Sequence, residues 1–277
     1  MKLSAVIPSW NRAHLVCEAI DSALAQRPGE VEVIVVDDAS TDDTAELIKR
    51  VYGDRVRLLR LANGVGAGAA RNAGVALASG EFVAFLDSDD VWLPGKFDEE
   101  LRVFEQFLGA EAVLSDSQNF FEHQADGTSR FAQNGLLAAT RGEVCWASDC
   151  DWLWTNSTNT VHTCSVTVRR EALLRIGPTL FAEDLDCCED WEFQMRVCHL
   201  CRVAVLPKVL AHVRRFDDNS RNGRNIPGRK ASREQELILL RDRLTVMQRA
   251  HWLTDLEPPL AAELERFRSE TERGLKG

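Results

Sequence analysis

The stretch Val31-Glu32-Val33-Ile34-Val35-Val36-Asp37-Asp38-Ala39-Ser40-Thr41-Asp42 decides the fold. It sets a β-branched, apolar run directly against a cluster of short polar side chains. The run from Val31 to Val36 reads as a strand buried on both faces, and the polar cluster reads as a turn that caps a following helix. That helix carries Leu47, Ile48 and Val51.

Reading outward, Leu3 to Ile7 is a first strand and Val16, Ile20 and Leu24 recur at helical spacing after it. Val56 to Leu61 is a third strand. The glycine-rich Asn63-Gly64-Val65-Gly66-Ala67-Gly68 opens an alanine-rich helix, and Glu81 to Leu86 is a fourth strand ending on Asp87-Ser88-Asp89-Asp90. Strands alternating with helices imply an α/β fold with a parallel sheet. Ligands of such sheets lie beyond the carboxyl ends of the strands, so Asp37, Asp38, Asp87 and Asp89 are expected in one crevice. Carboxylates gathered there repel one another, which points to a hard divalent cation with oxygen ligands. The alternative is a set of turn and cap residues.

Residues 111–225 are less regular and richer in Trp, Asn, Thr and Cys. Val161 to Arg169 reads as a strand and Arg170 to Ile176 as a helix stopped by Gly177-Pro178. A second helix starts near Asp190 and carries Phe193, Val197 and Leu200. Farther on, Leu237, Leu240, Leu244 and Met247 form one helical stripe, followed by Leu260, Leu264 and Phe267 after Pro258-Pro259. The first stripe is a candidate homodimer contact or a surface that packs on the preceding domain. The expected organisation is 1–110, 111–225 as a second half of the same domain, and a C-terminal helical segment over 226–277.

Composition narrows the functional classes. A chain of 277 residues with 45% apolar and 27% charged residues can bury a sizeable core. A net charge of −10 argues against a nucleic-acid partner. The apolar runs are too short to span a bilayer and the N-terminus lacks a signal-peptide h-region, so no integral membrane segment and a cytoplasmic location are expected. Arg241, Arg243 and Arg249 would serve any peripheral membrane contact. Eight unevenly spaced cysteines suit reduced thiols, with Cys187, Cys188, Cys198 and Cys201 the set to test for zinc.

Four motifs in order now resemble glycosyltransferase family 2, enzymes of the GT-A fold, over residues 2 to about 220. They are Val6-Ile7-Pro8-Ser9-Trp10-Asn11-Arg12, Val35-Val36-Asp37-Asp38-Ala39-Ser40-Thr41-Asp42, the run from Asn63 to Gly74, and Phe85-Leu86-Asp87-Ser88-Asp89-Asp90. Cys188-Glu189-Asp190-Trp191-Glu192 is similar to the family's Glu-Asp motif. The resemblance implies a Rossmann-like mixed sheet flanked by helices and a metal-dependent, inverting transfer of sugar from a nucleotide-sugar, a UDP-sugar first. It further implies Asp38 at the nucleoside base with Pro8, Ser9 and Arg71 lining the pocket. Asp87, Ser88 and Asp89 would stand at the ribose and at Mn²⁺ or Mg²⁺, with Asp89 the principal ligand. Asp190 would be the base and Glu189 its neighbour.

The chemistry asks for the same parts, because charge builds on the departing diphosphate while the acceptor hydroxyl loses a proton. Where many relatives carry Arg-x-His-x-x-Ser, this chain has Arg214-Arg215-Phe216-Asp217-Asp218-Asn219-Ser220. Phe216 cannot bind a metal, with Asp217 or water the candidates for the third ligand, and Arg214, Arg215 and Ser220 become candidates for closing over the diphosphate. Trp152, Trp154 and His162 are candidate acceptor contacts. The acceptor class, whether saccharide, lipid-linked sugar, peptide or small molecule, stays open.

Competing classes fit less well. A sugar-phosphate nucleotidyltransferase needs a glycine- and lysine-rich first loop, which Ser9-Trp10-Asn11-Arg12 does not supply. A P-loop ATPase or dinucleotide enzyme lacks its fingerprint after the first strand. A non-catalytic nucleotide- or carbohydrate-binding module of the same fold remains, and turnover separates it from an enzyme.

Overall fold

The computed structural model describes residues 2–121, 124–125, 127–149 and 161–215, with 238, 241–246, 249, 269 and 273. Ten strands form one sheet: β1 Leu3–Ser9, β2 Val31–Asp37, β3 Val56–Arg60, β4 Phe82–Phe85, β5 Val91–Trp92, β6 Ala112–Phe121, β7 Gln124–Ala125, β8 Cys145–Trp146, β9 Val166–Arg169 and β10 Val203–Arg214. Among the described residues, eight helices with defined bounds accompany it. These are α1 Val16–Leu24, α2 Thr44–Tyr52, α3 Ala67–Leu77, α4 Lys96–Gln106, α5 Arg130–Asn134, α6 Leu136–Ala139, α7 Arg170–Ile176 and α8 Glu189–Leu200.

The sheet order is β3-β2-β1-β4-β9-β6-β10-β5, with β7 on β6 and β8 on β10. Strands β3, β2, β1 and β4 run parallel, as the first-half pattern predicts. Antiparallel β9 then joins β4 to β6, and β10 returns parallel to β6, so the sheet is mixed. All seven residues of β1 are buried, which explains why it reads as a continuous apolar run. Apolar clusters fill both faces of the sheet, one under α1 and α4 and another under α8.

Helix α3 lies unusually close to the sheet. A Cβ on Gly74 would stand 2.4 Å from Val6 Cγ1, so only glycine permits this approach. On the other side, Lys96 and Glu100 of α4 form a buried ion pair. Thr167 of β9 and Ser115 of β6 donate to the Glu100 carboxylate at 2.8 and 3.0 Å, satisfying it where water is excluded.

Several expectations need correction. The segment from Val161 begins with a 3₁₀ turn over Thr163–Ser165, and the strand spans only Val166–Arg169. Val51 and Leu200 are exposed, because each lies on the solvent side of a helix whose inner stripe is set by Ile48 and by Phe193 with Val197. The helix Arg170–Ile176 falls where predicted. Strands β5, β6, β7, β8 and β10 and helices α4, α5 and α6 have no counterpart in the sequence pattern. Of the C-terminal stripe, Leu244 is described and packs with Val246 against Trp191; Leu237, Leu240, Met247, Leu260, Leu264 and Phe267 lie outside the described residues. Among the described residues no helix is long and apolar enough to cross a membrane.

Candidate active site

The carboxyl ends of β1 and β2 meet first. Pro8 pairs with Val36 and Ser9 with Asp37, and the Asp38 amide donates to the Ser9 carbonyl at 2.8 Å. The Asp38 carboxylate accepts from the Val65 and Gly66 amides at 2.7 and 2.9 Å. It thereby pins the glycine-rich loop, whose Gly66 takes a left-handed φ of 96°. Asn11 ties the first loop to the second, its carboxamide oxygen accepting from the Thr41 amide at 2.8 Å. Cap chemistry is met one residue early, since Asp42 rather than Asp43 accepts from the Thr44 amide, at 3.1 Å.

Asp37 behaves differently from its neighbour. It is fully buried, and Arg60 Nε lies 3.3 Å from its Oδ2, yet neither carboxylate oxygen makes a well-directed hydrogen bond. The contact is an ion pair without a directed hydrogen bond.

At the end of β4 the chain turns sharply, the Asp90 amide donating to the Asp87 carbonyl at 3.0 Å. Ser88 is buried in this turn. Asp87 accepts from Arg71 at 2.7 Å, and Asp89 lies 3.4 Å from Arg12. Burial raises the Asp89 pKa and adjacent Asp87 raises it further, with Arg12 opposing. Asp90 is pushed well above the usual carboxylate range by burial and then by Asp89 and Asp87.

The four expected carboxylates thus each hold a separate protein partner, through Arg60, the loop amides, Arg71 and Arg12. Among the described residues no group of three or more His, Cys, Asp or Glu is arranged to hold a metal. The same holds for zinc at Cys198 and Cys201: both pack on the apolar cluster beneath α8, where burial pushes their thiols up to about 12 and about 11.

Arg71 joins two regions distant in sequence. Besides Asp87, its guanidinium binds Glu189 at 2.9 Å and lies over the Phe181 ring at 5.2 Å. Burial would lower its pKa, but Asp87, Glu189 and then Asp190 outweigh that and hold it raised. Asn72 continues the junction, donating to the Phe181 carbonyl at 2.8 Å and accepting from the Phe181 amide at 2.9 Å. Glu189 and Asp190 open α8 directly after Cys188, which adopts a left-handed φ of 68°. Asp190 Oδ1 accepts from the Trp191 amide at 2.8 Å.

The end of β10 brings two arginines to the same place. Arg214 donates through its amide to Asp90 at 2.9 Å and through Nε to the Asp89 carbonyl at 2.9 Å. Arg215 donates to Asn119 at 2.9 Å and meets His162 Nε2 at 3.3 Å, while Ser117 closes on His162 Nδ1 at 2.8 Å. Burial, then Arg130 and Arg215, lowers the His162 pKa to about 3, so the ring is neutral. His212 is a strand residue, paired with Val91 and packed on Phe120. Ser220, Phe216, Asp217, Trp152 and Trp154 lie outside the described residues.

Sequence reasoning passed over the roles of Asn72, Asp90 and Arg12. Asn72 and Asp90 stand inside motifs already singled out, and their neighbours drew the attention. Arg12–Asp89 spans 77 residues and no local pattern announces it.

A mixed sheet of this order, with acidic residues on the turn after β4 and a Glu-Asp helix start facing it, defines a GT-A-type fold. It is similar in structure to S. aureus TarS residues 1–349 in complex with UDP-GlcNAc, with a TM-score of 0.66 and 20% identity over 99% of this chain and 72% of that one. It is similar at the same TM-score to the mannosyltransferase PcManGT from Pyrobaculum calidifontis in complex with GDP-Man and Mn²⁺, at 18% identity over 99% and 72%. The chain belongs to glycosyl transferase family 2, whose profile matches residues 4–173.

Among curated relatives, the Rhizobium meliloti succinoglycan biosynthesis protein ExoO is 46% identical over 40% of this chain and 31% of that protein. The Escherichia coli UDP-Glc:alpha-D-GlcNAc-diphosphoundecaprenol beta-1,3-glucosyltransferase WfaP is 32% identical over 43% of this chain and 46% of that protein. The chain spans less than half the length of these relatives.

Proposed function

We propose that this chain transfers a sugar from a nucleotide-sugar, a UDP-sugar first, to an acceptor hydroxyl with inversion at the anomeric carbon. The observation that carries this reading is Arg71, which ties Asp87 on the donor side to Glu189 beside Asp190. One buried cation thus holds together the two acidic elements that the chemistry needs. The UDP-Glc donor in the name of WfaP and the UDP-GlcNAc complex of TarS favour a uridine nucleotide.

Asp89, with Asp87, would hold Mn²⁺ or Mg²⁺. The fit rests on hard oxygen donors whose mutual repulsion a cation would relieve. When bound, such a cation supplies Lewis-acid stabilisation to the departing diphosphate. The protein's own residues do the rest. Pro8, Ser9 and Asp38 form the floor for the nucleoside, with Ser88 in the adjoining turn. Asp190 takes the acceptor's proton, while Glu189, held by Arg71, fixes where Asp190 stands. Arg215, hydrogen-bonded to Asn119 and His162, is placed to meet a phosphate.

In this reading residues 1–110 carry the donor and 111–225 shape the acceptor side. The diphosphoundecaprenol in the name of WfaP supports a lipid-linked acceptor reached from the cytoplasmic membrane surface.

The test is thermal stability with UDP, GDP, TDP and CMP, each with and without Mn²⁺, on the wild type and Asp89→Asn. At 100-fold excess over Kd a bound nucleotide adds about 2.7 kcal/mol of stability, so UDP with Mn²⁺ should raise Tm by several degrees and Asp89→Asn should abolish the rise. A wild type indifferent to every nucleotide, or a variant that responds in full, would sink the reading.

A further inference from the structure

The turn presenting Glu189 and Asp190 is gripped from behind by residues that the family profile does not reach, since that match ends at residue 173. Asp242 is 4% exposed, and its Oδ2 accepts from the Cys187 amide at 2.9 Å and from the Cys187 thiol at 3.2 Å. Val246 and Leu244 pack with Trp191, Leu185, Cys188 and Met195 in a small cluster of their own. Arg249 forms an ion pair with Asp184. Polar, apolar and ionic contacts therefore reach the turn from one short C-terminal stretch.

The turn needs holding. Cys188 sits at a φ of 68°, a left-handed conformation that crowds the Cβ of an L-residue. Such strain persists only where the surroundings over-determine it. Asp242 fixes the amide of the residue immediately before the strained one. With Cys187 fixed and Cys188 turned, α8 begins at Glu189, whose carboxylate then reaches Arg71, and Asp190 follows on the first turn. Releasing Asp242 frees the peptide on which that geometry rests.

We propose that Asp242 is a positioning residue for the Glu189–Asp190 pair, and that the C-terminal stretch around it belongs to the catalytic apparatus. It acts through the Cys187 amide and touches no reacting atom. The proposal rests on the reading of Asp190 as the base.

The experiment compares Asp242→Ala, Asp242→Asn and Asp190→Asn in the full chain. Two readouts are UDP release from UDP-sugar with water as the acceptor, and UDP affinity with Mn²⁺. Small displacements of a catalytic group cost on the order of 10²-fold in rate. Asp242→Ala should therefore lower kcat by roughly 10- to 100-fold while UDP affinity stays within about twofold. Asp242→Asn keeps an oxygen for the Cys187 amide and should recover most of the rate. In an Asp190→Asn background, Asp242→Ala should cost nothing further, because both act through one group.

Hydrogen exchange over 184–191 should quicken in Asp242→Ala while exchange in β1 and β2 does not. A wild-type kcat in Asp242→Ala, an equal loss of UDP affinity, or additive losses with Asp190→Asn would each overturn the proposal. If wild type releases UDP and Asp190→Asn leaves that rate unchanged, the base assignment fails instead. Exchange over 184–191 then still decides whether Asp242 holds the turn.

Discussion

Residues 1–110 and 111–215 contribute to one sheet by opposite means. In the first region β1, β2, β3 and β4 follow one another through α1, α2 and α3, and their registers with each other are all parallel. In the second, β9 runs antiparallel between β4 and β6, while β10 pairs with β6, β5 and β8. The first region is a repeat of local units; the second is assembled from long-range pairings and contacts. Chemistry falls on the boundary, where Arg71 and Asn72 of the first region hold Phe181 and Glu189 of the second.

That boundary should therefore be the most sensitive place in the molecule. Arg71→Met leaves Asp87 and Glu189 without their shared cation, and breaking a buried pair costs about 3–5 kcal/mol. Asp87 is a third exposed, so water recovers part of this and the lower end applies, about 3 kcal/mol. Urea denaturation should show that loss together with loss of UDP release. A variant as stable as wild type would mean that the two regions are held together without Arg71.

Gly74 tests the first region alone. A Cβ there meets Val6 Cγ1 at 2.4 Å, deep inside a strand with no room to yield. Gly74→Ala should cost about 1–3 kcal/mol by overpacking, and Val6→Ala in the same chain should recover part of it by clearing the methyl groups. Hydrogen exchange should localise the damage to α3 and β1. Loss spread equally into β6 and β10 would dissolve the distinction between a locally built half and a distantly built one.

The same distinction explains what the sequence discloses. Val31 to Tyr52 announces a strand, a turn and a helix because all three are decided by residues adjacent in sequence. The Asp-x-Asp turn and the Glu-Asp helix start are equally readable, since each is a short polar punctuation of an apolar pattern. What the pattern cannot disclose is pairing. Strand β6 is buried through interactions with β9 and β10, whose sequences lie tens of residues away. The partners of Asp89 and Asp87 are arginines at positions 12 and 71, so the expected gathering of four carboxylates becomes a set of separate ion pairs and amide clamps. Val51 and Leu200 show the local limit: apolar residues need not face inward when neighbours on the same helix already fill the core.

His162 offers the smallest and most selective test of the comparison. It belongs to the second region, where burial, then Arg130 and Arg215, lowers its pKa to about 3 and Ser117 meets the ring at Nδ1. An unfolded histidine titrates near 6.5. Above that pH neither state takes a proton and the group is neutral for stability. As pH falls below 6.5 the unfolded chain gains a proton that the fold refuses, so stability is lost progressively until about 3. At pH 5 the loss should be about 1–2 kcal/mol. Asp89 and Asp90 act with the opposite sign, because their raised pKa values favour the fold on acidification, so the wild type alone would mix the effects. Subtracting the pH profile of His162→Gln isolates the histidine. The variant should lose less stability than wild type between pH 7 and 5, and wild-type exchange should accelerate over 161–169 before it does in β1 and β2. Parallel pH profiles, or acceleration in both regions at once, would show that acid acts on the sheet as a single unit.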